Sequence, residues 1–258
     1  MYDSGHLLND LRALGVKCGD TLLVHSAFRN IKAASVLTAV EALMRSVGES
    51  GTLIMPSFPG GSEFFLVQSG ITFDVRTRPS DCGLITEAFR KQPGVIRSLS
   101  PTHCMAAWGK NAGFITGGHE KCRVSAGWGS PFEKIIALRG KILLIGVTNV
   151  NNTTLHYLEN TNGAPTVCAV EYYPKVITPE GKLITVPTFP HMPGLPRNYG
   201  RVEVELDANN IQQHGRFGDA EARIIDAYSM SKLISGRIKS DPMYLIKRFS
   251  LDDHPAAE

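Results

Sequence analysis

Three runs, TLLVHSA at 21–27, GTLIMPSF at 51–58 and KILLIGV at 141–147, are apolar through most of their length instead of at alternate positions. A strand without a polar face must be buried, and buried strands that alternate with helical patterns mark an α/β chain. Ser35 is placed to cap VLTAVEALMRSV between the first two runs, which makes a strand–helix–strand unit. Ser4 precedes Leu7, Leu8, Leu11 and Leu14, and Gly15 stands where helices stop, so a helix over about 5–14 opens the chain.

Further on, Ser80 is expected to cap GLITEAFRKQ. Ser130, Pro131 and Glu133 have the makings of a capped start for FEKIIALR, and Asn151, Asn152 and Thr153 offer caps for TLHYLEN. Residues 59–79, rich in Gly, Ser, Pro and aromatics without a clear period, are expected to form a long surface excursion. VIRSL at 95–99 and MAAWG at 105–109 read as short strands around the tight connection Ser100 to His103. VCAVEYYPKVI, KLITVP and RVEVEL predict antiparallel strands, while AEARIIDAYSMSKLISGRI and then MYLIKRF predict a helical end. The expected fold is a single α/β domain over residues 1–250, with a mixed sheet and an antiparallel portion in its C-terminal half; residues 251–258 are expected to fray.

Net charge narrows the partners. Twenty-seven basic against 24 acidic side chains leave +3, without the basic excess of a dedicated nucleic-acid binder. The apolar runs fall far short of the roughly 18 residues of a membrane span, and the first 15 residues carry charges where a secretory leader needs an apolar stretch. Five cysteines, Cys18, Cys82, Cys104, Cys122 and Cys168, are odd in number and form no C-x-x-C pair, so reduced thiols in a cytoplasmic protein are expected, with no metal site. No pattern specifies an oligomeric state; the last helix is free to pack at home or across a homodimer interface.

Three clusters can carry chemistry. His156 and Glu159, three apart on a helix, project from one face, where a carboxylate can fix the tautomer of an imidazole acting as general base. The same spacing also fits a plain surface pair, or half of a bundle metal centre. His25, Ser26, Ala27 and Phe28 follow the first buried strand, at the end of the sheet where ligands bind in open α/β folds. Ser26 lacks the G-x-S-x-G elbow of a hydrolase nucleophile, so hydrogen bonding to a ligand is its expected role. Arg97, Ser98, Ser100, Thr102, His103 and Cys104 form a donor-rich turn with a guanidinium suited to phosphate. Cys104 beside His103 points to the opposite face of a strand and is expected to pack rather than react.

Taken together, LLVHSAF, GTLIMPSF, the stretch from Asp74 to Arg90, PGVIRS, PTHCMAAWG, GSPFEKI and LLIGV with the following Asn-x-Thr-x-Leu-His-Tyr-x-Glu resemble, in order and spacing, the aminoglycoside 3-N-acetyltransferase family over roughly residues 5–250. The resemblance implies an α/β/α sandwich, acetyl-CoA as donor and, as small-molecule acceptor, an amine on an aminocyclitol ring, the 3-amino group of an aminoglycoside. It makes His156 the general base of a direct transfer and Glu159 its orienting carboxylate. It also places His25, Ser26, Ala27, Phe28, Arg97, Ser98, Thr102, His103 and Cys104 against CoA and its thioester. Asp74 and Glu159 are expected to hold the cationic acceptor, and Asp81, Glu171, Asp207 and Glu63 are further carboxylates that the fold, not the sequence, would have to gather near Glu159. The family's usual H-S-S and H-P-x-x-S turns are here His25-Ser26-Ala27 and Ser100-Pro101-Thr102-His103-Cys104. Acyl transfer to another amine, a silent CoA-binding relative and a serine hydrolase are the competing functions.

Overall fold

The first apolar run forms the strand Thr21–Ser26, which lies in the middle of a seven-stranded sheet. The structure, a computed structural model, describes residues 1–248, so the expected tail at 251–258 lies outside the described residues. In chain order the elements are α1 (Ser4–Ala13), β1 (Thr21–Ser26), α2 (Val36–Val47), β2 (Thr52–Pro56), α3 (Glu63–Gln68), β3 (Thr72–Asp74) and α4 (Leu84–Phe89). They continue with β4 (Ile96–Arg97), β5 (Met105–Gly109), α5 (Ala112–Thr116), α6 (Pro131–Ala137), β6 (Lys141–Ile145) and α7 (Thr154–Thr161). Last come β7 (Lys175–Ile177), β8 (Leu183–Thr185), α8 (Val202–Ala208), β9 (Gln212–Phe217), β10 (Ala220–Asp226) and α9 (Ala227–Ser240).

The large sheet runs β4-β5-β2-β1-β6-β10-β9. Only its centre is parallel: β1 pairs with β2 on one side and with β6 on the other. The antiparallel strands flank both sides, β5 and β4 beyond β2, β10 and β9 beyond β6, so they are not confined to the C-terminal half. Side chains of β1 alternate between two cores. Leu22 and Val24 pack with Leu7 and Leu11 of α1, Leu43 and Val47 of α2 and Phe89 of α4. Leu23 faces the other way, into Phe132 of α6, Leu155 and Leu158 of α7 and Ile234 of α9. Helices therefore cover both faces, and α9 packs within the chain. A second sheet, β3-β7-β8, closes a third cluster around Phe73, Cys104 and Val176. No helix among the described residues is long and apolar enough to cross a membrane.

Several local expectations change. Asp3, not Ser4, caps α1, accepting from the His6 N–H at 2.8 Å. Ser35 caps α2 as expected, accepting from Thr38 N. Ser80 caps nothing: α4 begins after Gly83, and the Ser80 N–H donates to Glu87. The Ser130 hydroxyl makes no cap bond, and Glu133 reaches Gly129 N instead. The excursion at 59–79 contains α3 and β3. RVEVEL is helical, because α8 buries Val202 and Leu206, four apart, and leaves Val204 75% exposed. AEARIID is strand β10, paired along β6, and of MYLIKRF the described residues 243–248 form turns and an isolated bridge and no helix.

Gly109, at φ 102°, ends β5 against the backbone of Gly51, where an added Cβ would lie 2.2 Å from the Gly51 oxygen. Gly109→Ala is expected to lower stability by on the order of 1–3 kcal/mol from the backbone conformation alone, with more from the clash; urea unfolding of the variant against the parent measures it.

Candidate active site

The order of the large sheet reverses at β1, since its two parallel neighbours arrive from opposite sides, and such a switch point leaves a crevice beyond the carboxyl ends of the strands. His25 and Ser26 end β1 there, in the wall of a cavity of ≈ 290 Å³ shared with Phe58, Cys82, Val147, Asn151, Thr153, His156 and Tyr199. Ser26 Oγ and Thr153 Oγ1 are buried and have no partner among the described residues, nor does His25 Nε2.

His156 enters this cavity from α7. Helical spacing brings Glu159 beneath it, with Oε2 3.2 Å from Nδ1. Glu159 is fully buried, and its Oε2 accepts from Tyr199 Oη at 2.6 Å and from Arg197 Nε at 3.1 Å; Oε1 lies 3.0 Å from the same Arg197 Nε but has no hydrogen bond among the described residues. Burial alone would raise its pKa, but the hydrogen bond and charge of His156, with Arg197 and Tyr199, hold it below the ordinary carboxylate value. Tyr199 Oη, 2.6 Å from His156 Nδ1, spends its proton on Glu159, so the imidazole proton sits on Nδ1 and the Nε2 lone pair is left for the cavity. Burial, with His191 nearby, pushes the His156 pKa down to about 4 against the pull of Glu159, so the ring is neutral at pH 7.

His156, with Phe58, also lines a second cavity of ≈ 220 Å³, shared with Pro59, Gly61, Glu63, Leu66, Thr102, His103 and His191. The His191 ring lies 4.4 Å from that of His156, and the His103 ring 6.0 Å. Both hang on Glu63, the first residue of α3. Its buried carboxylate accepts from Thr102 Oγ1 at 2.8 Å, Ser125 Oγ at 2.6 Å, His191 N at 2.9 Å and His191 Nδ1. Burial would raise its pKa, yet His103 and His191 hold it well below the usual range.

Ligand atoms of Glu63, His103 and His191 lie within 4.8 Å of one another, a spacing that suits a metal ion. The hydrogen bonds do not suit one. Asn160 Nδ2 donates to Ala126 O and approaches His191 Nε2 at 3.0 Å, while its Oδ1 accepts from Thr166. His191 Nε2 is thus an acceptor, its proton is on Nδ1, and that proton occupies the Glu63 oxygen a metal would need.

Of the residues expected at the donor, His25 and Ser26 line the first cavity, and Thr102 and His103 line the second. The rest lie in neither wall. Ala27 N bonds Ile145 O, and Phe28 packs on the core under α1 and α2. Arg97, expected to face phosphate, gives its guanidinium to the carbonyls of Val75, Arg78 and Ser57 at 2.8–3.0 Å. Ser98 bonds Met105 N and His119 Nδ1. Cys104 is buried in the cluster under the small sheet, its thiol pKa raised by burial.

The candidate carboxylates do not gather around Glu159. Asp74 forms a fork with Arg76, Asp81 accepts from Gly60 N, Glu171 pairs with Arg123, and Asp207 with His214. Only Glu63 reaches the site. Nothing in the sequence flagged His191, Tyr199, Arg197, Ser125 or Asn160, which come from separate segments with no motif between them.

A family model described as aminoglycoside 3-N-acetyltransferase matches residues 23–238. Aminoglycoside N(3)-acetyltransferase IV of Salmonella sp. is 31% identical over 253 residues, which cover 95% of this chain and 90% of that protein. Among solved structures, a mutant of aminoglycoside acetyltransferase AAC(3)-IVa in complex with gentamicin is 29% identical with a TM-score of 0.82, covering 96% of this chain and 93% of that one. AAC-VIa bound to sisomicin is 28% identical with a TM-score of 0.80, covering 93% and 98%.

Three histidines, His25, His119 and His156, have pKa values pushed down to about 4, in each by burial first. An unfolded histidine titrates near 6.5, so between pH 6.5 and 4 the unfolded chain binds more protons. The stability of these neutral rings is therefore full above that window and is lost as the pH falls through it. From pH 7 to pH 5 the loss is on the order of 1–2 kcal/mol per histidine. Urea unfolding at the two pH values checks this, and equal stabilities would contradict it.

Proposed function

The chain belongs to the aminoglycoside 3-N-acetyltransferase family and is an acyltransferase, and on that footing we propose that it transfers the acetyl group of acetyl-CoA to the 3-amino group of an aminoglycoside by direct attack. The observation that carries this reading is the place of His156: a neutral imidazole, its Nδ1 proton held by Tyr199 and Glu159, in the wall between two cavities. A ternary reaction needs that layout, with donor and acceptor entering separately and meeting at one base.

The thioester takes the cavity at the end of β1, and the amine takes the cavity of His103 and His191. His156 Nε2 accepts a proton from the amine as the C–N bond forms, and Glu159 stabilises the imidazolium. The oxygen of the tetrahedral intermediate needs donors. Ser26 Oγ and Thr153 Oγ1, in the donor cavity and without a partner among the described residues, are suited to that work. Collapse expels the CoA thiolate, which recovers the proton from His156.

One observation favours a second acceptor class. Among the described residues the acceptor cavity holds a single carboxylate, Glu63, and its oxygens are occupied by the chain's own donors, so these walls offer little to a polycation. A smaller amino sugar or a biosynthetic amine with one positive charge fits that wall better.

Thiol release from acetyl-CoA, measured across aminoglycosides and single-amine amino sugars, decides between the acceptors. In either case His156→Ala is expected to lower kcat by about 10²–10⁴-fold; a variant that keeps its turnover would remove the base assignment.

A further inference from the structure

We propose that His103, seated by Glu63, is a second base of the same reaction, taking the first proton from the acceptor's ammonium before His156 takes the second. This rests on the acyl transfer proposed above. An amine meets the enzyme at neutral pH as R–NH3+ and leaves as R–NH–CO–CH3. Two protons must therefore depart from one nitrogen, and a single imidazole that has accepted one cannot accept the other until it has been emptied.

The acceptor cavity holds a group suited to the first proton. Thr102 Oγ1 and Ser125 Oγ both donate to Glu63, at 2.8 and 2.6 Å. Each hydroxyl has one proton, so each can only accept from His103 Nδ1, which lies 3.3 Å from Thr102 Oγ1, 2.9 Å from Ser125 Oγ and 3.2 Å from the Glu63 carboxylate. The ring proton is thereby fixed on Nδ1, and His103 Nε2 keeps a lone pair with no partner among the described residues. His191 is different: Asn160 occupies its Nε2 and Glu63 its Nδ1, so both its nitrogens are committed.

His103 lines the acceptor cavity with His156, ring centroids 6.0 Å apart. Phe58 and His191 pack against it, at 4.9 and 5.5 Å between rings, and Glu63 is the carboxylate in contact with it; His119 is within electrostatic reach. Glu63 acts through His103 and is a positioning residue. It stabilises the imidazolium that forms, as Glu159 does for His156.

The steps balance. His103 Nε2 takes one proton from R–NH3+ and leaves R–NH2. The amine attacks the thioester carbon, and its second proton passes to His156 Nε2 as the C–N bond forms. The C–S bond breaks, the thiolate takes the proton from His156 and becomes CoA thiol, and His103 releases its proton to solvent. The sum is one amide, one thiol and one proton.

The test is kcat/KM against pH, from 6 to 9, for the parent, His103→Asn, His103→Gln and His156→Ala, using acetyl-CoA and whichever aminoglycoside or amino sugar the parent turns over fastest. Asparagine keeps an N–H near the Nδ1 position and glutamine keeps one near Nε2, so at least one variant retains the local packing; thermal unfolding identifies it. The expected result is a loss of about 10²-fold or more at pH 6.5. That loss should shrink by about tenfold per pH unit toward the acceptor's own pKa, because amine already neutral in solution no longer needs the first base. His156→Ala should lose activity at every pH. A loss in the His103 variants that does not change with pH, or no loss at all, would overturn the proposal while leaving the acyl transfer standing. A parent enzyme that turns over no amine would remove both.

Discussion

Everything at the site depends on β1 being buried on both faces and paired in parallel on both edges. Leu22 and Val24 on one side and Leu23 on the other commit the strand to two cores, so it can neither slip by one residue nor tilt. Its end is then fixed where β2 and β6 diverge, and the space between them is left for ligands. His25 and Ser26 occupy that end because the chain has no other place to leave the strand. The helices on the second face bring α7, and with it His156, over the same space.

The chemistry rests on a second constraint, the enclosure of two carboxylates. Glu159 and Glu63 sit where an isolated charge would be costly, and each is kept ionised by hydrogen-bond donors from several segments. That supply of donors sets the imidazole tautomers. Tyr199 must give its proton to Glu159, and Thr102 and Ser125 must give theirs to Glu63, so His156 and His103 hold their ring protons on Nδ1 and keep Nε2 without a partner among the described residues. Burial lowers the basicity of His156 while Glu159 partly restores it, which leaves a base that is free in the resting enzyme.

Much of this was legible in order along the chain. The three apolar runs are β1, β2 and β6, and His156 with Glu159 on one helix face is what a three-residue spacing on a helix implies. Where the pattern misled, a competing interaction won. V-E-V-E in 202–205 alternates like a strand, yet Glu203 and Glu205 find partners in Asn149, Gln212, Arg237 and Tyr244 only when the segment is helical. AEARIID contains good helix formers, but β6 would otherwise be a bare hydrophobic edge, and pairing with β10 covers it. Arg97 has the chemistry of a phosphate ligand, but three carbonyls of neighbouring loops needed a donor more closely placed.

The sequence alone determined which segments are central strands, that helices cover them, and that one imidazole and one carboxylate share a helix face, because those properties follow from contacts within a few residues or from the demand that apolar runs be buried. Only the tertiary structure decided that Glu63, from a stretch read as surface, lies beneath His103 and His191, and that Asp74, Asp81, Glu171 and Asp207 are engaged elsewhere. Contacts between residues as far apart as Glu63 and His191 leave no local pattern. A carboxylate's role is set by the donors that surround it once the chain has closed, and their number and direction exist only in three dimensions.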